Sequence, residues 1–221
     1  MTSQILAVLF DLDGTLIDSA PDLAGTANDM RNARGLAPLS LEYLRPMVGA
    51  GARGLIGRAF NIDPEHASFV ELRDEFLRRY EPRLTHETRL FPQIQALLDA
   101  LAVRCLAWGI VTNKASRFAE PLVRSLGLLP TAATLVCGDT TPHAKPHPAP
   151  LLEAARRLGV PVTACVYVGD DLRDVQAGRA AGMATIAACW GYLGVGEPVE
   201  SWRADYLART PADISKLLGL A

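Results

Sequence analysis

The 221-residue sequence has few lysines and no excess of positive charge. Only Lys114, Lys145 and Lys216 are lysines, and the long segment 16–88 has none. The 22 basic residues stand against 24 acidic ones, which gives a formal net charge of −2. A partner such as DNA requires a strongly basic surface, which this composition does not provide. We therefore expect no nucleic acid partner.

Cysteine pairs and long hydrophobic runs are also missing. The four cysteines stand far apart and form no C-x-x-C pair, which favours a reducing compartment over a disulfide framework. The apolar run 5–10 is broken by Asp11 and Asp13, so we do not expect a signal peptide there. No uncharged apolar stretch approaches the roughly 20 residues of a membrane span. We expect a cytoplasmic protein without membrane contact.

The chain does have enough apolar residues to form a large core. Hydrophobic residues make up 49% of it and charged residues 21%, and its length suits one large domain or a domain with an insertion. Short continuous apolar runs, separated by helical patterns, predict buried parallel strands. The runs span residues 5–10, 106–111, 165–168 and 184–189, with a weaker run at 134–137. This alternation predicts an α/β fold with a doubly wound parallel sheet.

Residues 16–88 interrupt the alternation of strands and helices. The segment contains no convincing strand, but its apolar residues recur at helical spacing. Asp63 as N-cap and Pro64 at the first helical position predict the start of its clearest helix. The segment is too long for a simple crossover connection. We therefore expect a helical cap domain, 16–88, inserted after the first strand of a catalytic core formed by 1–15 and 89–221.

Polar side chains stand where the predicted strands end. Asp11 and Asp13 point the same way, because residues two apart on an extended backbone share a face. In an open α/β sheet, the loops at the carboxyl ends of the strands converge on one crevice. The residues that we expect to meet there are Asp11, Asp13, Thr112, Asn113, Lys145, Asp170, Asp171 and Asp174.

Carboxylates that share one crevice require a cation. Two like charges 4 Å apart repel by about 4 kcal/mol at an effective dielectric constant near 20. Ligands that are all oxygen favour Mg²⁺, and the helix start at Thr112 and Asn113 is suited to bind an anion. Each motif alone has an ordinary explanation, as a solvated turn, a helix cap or a surface lysine. Their joint occurrence at successive strand ends favours one phosphate site.

The order of these motifs resembles that of the haloacid dehalogenase superfamily. The motifs are Asp11-Leu-Asp13-Gly-Thr15, Thr112-Asn113, Lys145, and Gly169-Asp170-Asp171 with Asp174. The resemblance extends from residue 8 to about residue 191, and 16–88 lies where that family carries a helical cap. More narrowly, residues 145–152 and 178–183 resemble phosphoglycolate phosphatases. Residues 137–144 resemble N-acetylmuramic acid 6-phosphate phosphatases, so both substrates stay open.

The resemblance implies a Mg²⁺-dependent phosphomonoester hydrolase that acts on a small organic phosphate, with phosphoglycolate as the first expectation. Asp11 would be the nucleophile that forms an aspartyl phosphate, and Asp13 would be the general acid and base. Thr112, Asn113 and Lys145 would be catalytic groups that bind the phosphoryl oxygens. The implied metal ligands are Asp11, Asp13 through its backbone carbonyl, and Asp170, with Asp171 and Asp174 around them.

Two further residues have competing interpretations. Arg53, in a glycine-rich loop of the cap, would bind a second anionic group of the substrate, or it is a solvated residue. Tyr192 either lines the crevice or covers the sheet edge, and we expect the second. Monomer and homodimer are equally compatible with the sequence.

Other activities compete with the phosphatase. A family phosphonate hydrolase requires a cap lysine, which 16–88 lacks. A phosphomutase shares all four motifs and stays an alternative. A receiver-type signalling domain shares the fold class and Mg²⁺, but it carries its consecutive acid pair after the first strand and has no large helical insertion.

Overall fold

The computed structural model of the protein describes residues 5–220 and contains two sheets. The strands are β1 (Ala7–Phe10), β2 (Ile17–Asp18), β3 (Arg89–Leu90), β4 (Ala107–Val111), β5 (Thr134–Val136), β6 (Cys165–Gly169), β7 (Ala184–Ala188) and β8 (Tyr206–Ala208). The main sheet is parallel and has the order β5, β4, β1, β6, β7, β8. The small second sheet is the antiparallel pair of β2 and β3.

Helices cover both faces of the main sheet. They are α1 (Ala20–Asn32), α2 (Leu41–Leu44), α3 (Gly51–Phe60), α4 (Phe69–Tyr80), α5 (Ile94–Val103), α6 (Ser116–Ser125), α7 (Ala149–Leu158), α8 (Leu172–Ala181) and α9 (Pro211–Leu217). Within residues 5–220, no helix is long and apolar enough to cross a membrane. The predicted α/β fold with a doubly wound parallel sheet is confirmed.

All five apolar runs in the sequence are strands of the main sheet, and β1 lies at its centre between β4 and β6. Every side chain of β1 is fully buried. Val8 and Phe10 belong to the larger hydrophobic cluster, which also contains residues of the segment 16–88, while Ala7 and Leu9 belong to a second cluster with α7 and α8. Burial on both faces explains why the run is continuously apolar. Fully burying a side chain such as that of Phe10 stabilises the fold by about 1.5–3 kcal/mol.

The segment between β2 and β3 is helical and contributes to the same large core. On α4, the side chains of Phe69, Leu72, Phe76 and Tyr80 are buried, as the helical spacing predicts. The predicted start of this helix is wrong: α4 begins at Phe69, with Ser68 at the N-cap position. Residues 63–66 instead form a turn in which the His66 amide donates to the Asp63 carbonyl at 3.1 Å.

A short antiparallel pair lies at the base of the helical segment, where the sequence offers no convincing strand. Ile17 pairs with Leu90 and Asp18 with Arg89. The fully buried carboxylate of Asp22 accepts bonds from the amides of Glu87 and Thr88 and from the Thr88 hydroxyl, at 2.7–3.1 Å. These contacts fix the two chain connections side by side, although strands of two residues leave no pattern in a sequence.

Candidate active site

The carboxyl ends of the central strands face the helical segment across a cavity of about 330 Å³. Its core side contains all eight polar residues that the sequence predicts at the strand ends: Asp11, Asp13, Thr112, Asn113, Lys145, Asp170, Asp171 and Asp174. The opposite wall includes Leu23, Phe76, Tyr80 and residues 48–52. The volume is typical of a small-molecule site.

Lys145 lies at the centre of the buried charges. Its Nζ is 2.8 Å from Asp11 Oδ1 and 2.8 Å from Asp174 Oδ1, and it donates to the Val111 carbonyl and the Tyr167 hydroxyl. Burial opposes its charged form, but the carboxylates of Asp11 and Asp174 outweigh burial and raise the pKa of Lys145. The lysine is therefore a fixed cation at the end of β1.

Burial and the nearby charges shift the pKa of Asp11 in opposite directions. Burial raises the pKa of Asp11 to about 7, against the attraction of Lys145 and with a further contribution from the nearby charge of Asp174. Its Oδ1 is buried and accepts no hydrogen bond, since the close approach of Lys145 is an ion pair without hydrogen-bond alignment. A buried carboxylate oxygen without a hydrogen-bond donor is suited to a cation or to nucleophilic attack.

Asp170 is held rigidly from both sides. Its Oδ1 accepts from the Thr15 hydroxyl at 2.9 Å and its Oδ2 from the Tyr192 amide at 2.8 Å. A side chain at Gly14 or Gly191 would overlap the Asp170 carboxylate, and Gly14 has a positive φ of 90°. Burial, together with the charges of Asp11 and Asp174, raises the pKa of Asp170 well above its usual value. The fold therefore holds the Asp170 carboxylate in one orientation. Its burial costs free energy that a bound cation would offset.

The donor set fits a divalent cation. Asp11, Asp170 and Asp174 each offer a carboxylate oxygen, and these oxygens lie within 4.8 Å of one another. All three ligand atoms are hard oxygens, which Mg²⁺ and Ca²⁺ prefer. The sequence predicts Asp174 outside the ligand set and the backbone carbonyl of Asp13 within it, so Asp174 lies closer to the acidic centre than we expect from its place in α8.

Thr112 and Asn113 connect the end of β4 to the loop of Lys145. The side-chain nitrogen of Asn113 donates to the backbone carbonyl of Lys145, and its side-chain oxygen accepts from the backbone amide of Lys145, both at 2.9 Å. The Thr112 hydroxyl accepts from the backbone amide of Lys114 at 3.1 Å. The Asn113 side chain therefore connects the strand end to the lysine loop, whereas the Thr112 bond stays within the turn after β4.

The Asp13 carboxylate lines the same cavity as Asp11 but lies outside the cluster of Asp11, Asp170 and Asp174. It accepts a 2.5 Å bond from the Ser19 hydroxyl, and Lys114 Nζ lies 3.0 and 3.2 Å from its two oxygens. Lys114 also donates to the Tyr80 hydroxyl on α4. Sequence reasoning assigns no role to Lys114, although its position directly after Thr112 and Asn113 is a signal.

Asp171 and Asp174 begin helix α8. Asp171 is its N-cap, and the Asp174 carboxylate accepts from the Asp171 amide, which completes a capping box. Both Asp171 oxygens also pair with Arg173 at 2.8 Å. Burial opposes ionisation, yet the bonds to Arg173 hold the pKa of Asp171 below its usual value. Asp171 thus serves the helix start, while Asp174 serves both the helix start and the acidic centre.

Tyrosines complete the site in ways that the sequence does not predict. The Tyr192 hydroxyl accepts from the amides of Ser19 and Ala20, and its own amide binds Asp170, so the residue supports the site instead of merely covering the sheet edge. The Tyr167 hydroxyl donates to the Val111 carbonyl and lies 3.2 Å from Asp174 Oδ1. A tyrosine in an apolar run gives no sign of such partners.

Arg53 is not brought into this site. It is exposed on α3 and is not among the residues that line the cavity. The expectation that Arg53 binds a second anion of the substrate therefore has no support in the geometry. The cations on the cavity wall, among residues 5–220, are Lys114, Lys145 and Arg173.

Comparisons with known proteins agree with the fold. The family model of haloacid dehalogenase-like hydrolases matches residues 8–188. The chain is 48% identical over 210 residues to a phosphoglycolate phosphatase of Xanthomonas campestris pv. campestris, covering 94% of each chain. It is 39% identical over 218 residues to an N-acetylmuramic acid 6-phosphate phosphatase of Pseudomonas putida, covering 99% of this chain and 98% of the relative.

A solved structure gives the same fold. The crystal structure of a predicted phosphoglycolate phosphatase from Haemophilus somnus 129PT superimposes with a TM-score of 0.85. The two chains are 28% identical, and the match covers 98% of this chain and 99% of the other. The similarity therefore includes the helical segment as well as the parallel sheet.

Proposed function

The chain belongs to the haloacid dehalogenase-like hydrolase family, and we propose that it hydrolyses phosphoglycolate through a phosphorylated Asp11. The chain is a phosphoric monoester hydrolase by its relatives, since phosphatases at 46–48% identity match it over 94–95% of its length. The observation that carries the proposal is the Asp11 carboxylate, whose Oδ1 lies 2.8 Å from Lys145 in a cavity that contains four further acids.

Asp11 is the proposed nucleophile. Its position at the end of the central strand directs it into the cavity, and Lys145 favours its anionic form against burial. Attack of a carboxylate oxygen on phosphorus forms the acyl phosphate and breaks the bond to the ester oxygen. Water then attacks the phosphorus of the intermediate, which releases phosphate and regenerates Asp11.

Asp13 is the proposed general acid and base. It stands two residues from Asp11 on the same side of the chain, and its carboxylate is held by Ser19 and Lys114. It would give a proton to the leaving alkoxide and later take one from the attacking water. A positioned group of this kind contributes roughly 10²- to 10⁴-fold in rate.

The phosphoryl group has three proposed partners. Lys145 supplies a fixed positive charge, and Thr112 and the backbone amide of Asn113 supply hydrogen bonds to the remaining oxygens. Support for this arrangement comes from the two bonds between Asn113 and Lys145, which couple the position of the cation to the strand end.

We propose that the metal is Mg²⁺ and that Asp11, Asp170 and the backbone carbonyl of Asp13 hold it. Asp171 and Asp174 would lie outside these direct ligands, with Asp174 next to Lys145. The ion would neutralise the anionic nucleophile and substrate so that they can approach each other.

We further propose that 16–88 acts as a cap over the core of 1–15 and 89–221, excluding water during the reaction. The four unpaired cysteines favour a reducing compartment such as the cytoplasm.

N-acetylmuramic acid 6-phosphate is the second candidate substrate. It is favoured by the relative at 39% identity over 99% of the chain. The cavity of about 330 Å³ and its apolar residues on the cap side also leave room for an ester larger than phosphoglycolate.

The decisive experiment is a steady-state assay with Mg²⁺ on phosphoglycolate, N-acetylmuramic acid 6-phosphate and neutral phosphate esters. We expect many phosphates released per chain, the highest kcat/KM on phosphoglycolate, and no turnover by Asp11→Asn. A single stable acyl phosphate per chain would indicate a signalling domain instead. Transfer of the phosphoryl group to a second sugar hydroxyl would indicate a phosphomutase.

A further inference from the structure

Lys114 is a buried cation on the cavity wall that the proposed reaction does not use. Its side chain is 9% exposed. Its Nζ contacts both oxygens of Asp13 and donates to the Tyr80 hydroxyl at 2.9 Å. Lys114 therefore links the acid–base residue of the core to helix α4 of the cap.

The two other cations of the cavity wall are more fully occupied. Lys145 contacts two carboxylates and two neutral oxygens. Arg173 makes two bonds to Asp171 and one to the Gly49 carbonyl, and 37% of its side chain is exposed. Lys114 has one carboxylate partner and one neutral hydroxyl, and it is shielded from water. It is therefore the cation best able to accept a further anion from the cavity.

The surroundings of Lys114 favour binding of an anion. The cavity that Lys114 lines also includes the apolar residues Leu23, Phe76, Ala115 and Phe118. An ion pair is stronger next to such side chains than in water. The backbone of Lys114 is fixed as well, because its carbonyl accepts a 2.9 Å bond from the Gly138 amide.

We propose that Lys114 binds the carboxylate of an acidic phosphomonoester and thereby selects such esters over neutral ones. This inference rests on the proposed function, because it assigns the second anion of the substrate to the same cavity. When the carboxylate of the substrate accepts a bond from Nζ, Asp13 gives up a contact with Lys114 and keeps the bond from Ser19. Binding of an acidic ester thus frees one Asp13 oxygen for the ester oxygen.

Two substrates of equal length test this assignment. Phosphoglycolate carries a carboxylate where 2-hydroxyethyl phosphate carries a neutral CH₂OH group. Loss of a hydrogen bond to a charged group corresponds to about tenfold to hundredfold in binding. We expect Lys114→Met to lower kcat/KM for phosphoglycolate by about that factor more than for 2-hydroxyethyl phosphate, because both esters are affected alike by the lost contact between Lys114 and Asp13. Lys114→Arg keeps the charge and should restore most of the preference.

An equal fall on both substrates would overturn the proposal, because Lys114 would then only position Asp13. A preference that disappears in Arg53→Ala instead of Lys114→Met would overturn it too. Calorimetric titration of both esters into Asp11→Asn, with and without Lys114→Met, separates this proposal from the proposed function. If the wild type hydrolyses neither ester, the proposed function fails. The titration still tests the role of Lys114. The protein that keeps Lys114 must bind phosphoglycolate more tightly than the neutral ester, and Lys114→Met must remove that difference.

Discussion

Arg173, in the first turn of α8, donates a hydrogen bond to the backbone carbonyl of Gly49, which precedes helix α3 in the helical segment. The nitrogen and the oxygen are 2.5 Å apart, and the same guanidinium pairs with both oxygens of Asp171. The bonds to Asp171 outweigh partial burial and raise the pKa of Arg173. One side chain therefore ties the loop that covers the cavity to the acidic turn beneath it.

We expect Arg173→Met to loosen this loop. The bond is partly exposed, so its loss costs about 1 kcal/mol, which corresponds to roughly a fivefold fall in kcat/KM. Amide hydrogen exchange in residues 48–56 should accelerate. Arg179→Met is the matched control, since Arg179 lies on the same helix and donates to the Arg203 carbonyl outside the cavity. Unchanged exchange in the Arg173 variant would contradict the proposed contact.

Asp170→Asn should stabilise the metal-free protein while it removes the response to Mg²⁺. Asparagine can still accept from Thr15 or Tyr192, but it removes a carboxyl group whose ionisation is opposed by burial and by the charges of Asp11 and Asp174. We expect the free energy of unfolding without metal to rise by about 1–2 kcal/mol. The increase in Tm on adding Mg²⁺ should disappear.

A second buried aspartate is the control for that variant. Asp22 is also fully buried, but its oxygens accept bonds from Glu87 and Thr88, and it does not line the cavity. Asp22→Asn should therefore destabilise the protein equally with and without Mg²⁺. If Asp170→Asn behaves in the same way, its carboxylate does not hold the metal.

The metal-free protein should lose stability as the pH rises towards 7. Burial raises the pKa of Asp11 from 3.8 to about 7, so the folded state keeps a proton on Asp11 that the unfolded state releases. The contribution of Asp11 to the free energy of unfolding is complete below pH 3.8 and is lost as the pH rises through about 7. Urea unfolding in a chelator at pH 5.5, 6.5 and 7.5 measures this slope. Asp11→Asn should flatten it, and an unchanged slope in that variant would assign it to other groups.

The sequence predicts the part of this site that depends on the sheet. Asp11, Thr112 and Asp170 follow continuous apolar runs, and the carboxyl ends of neighbouring parallel strands meet at one edge of the sheet. The order of motifs then brings in Lys145, which lies on a loop. These residues are found together because one rule of backbone geometry positions them.

The remaining contacts depend on side-chain direction, which a pattern does not contain. Tyr167 contacts Lys145 across 22 residues of sequence, and Lys114 contacts Asp13 across 101. Both contacts are made by the far ends of long side chains. Strand β8 has three residues and β2 has two, which is too short for a period to appear. Arg53 shows the converse, since a favourable position in the sequence leads to an exposed side chain.

Lys145→Met should separate the structural and catalytic roles of the central lysine. The substitution leaves the buried carboxylates of Asp11 and Asp174 without their shared cation, which costs about 3–5 kcal/mol of stability in a chelator. Mg²⁺ should restore part of this stability, because it offers those carboxylates another cation, but it should not restore turnover of phosphoglycolate. Tyr167→Phe is the matched control, since it removes only the hydrogen bonds of its hydroxyl with Lys145, the Val111 carbonyl and Asp174 and should cost about 1–2 kcal/mol while keeping turnover within tenfold. Urea unfolding with and without Mg²⁺, together with kcat, measures both effects. Substantial turnover by Lys145→Met would show that the phosphoryl group does not require this charge.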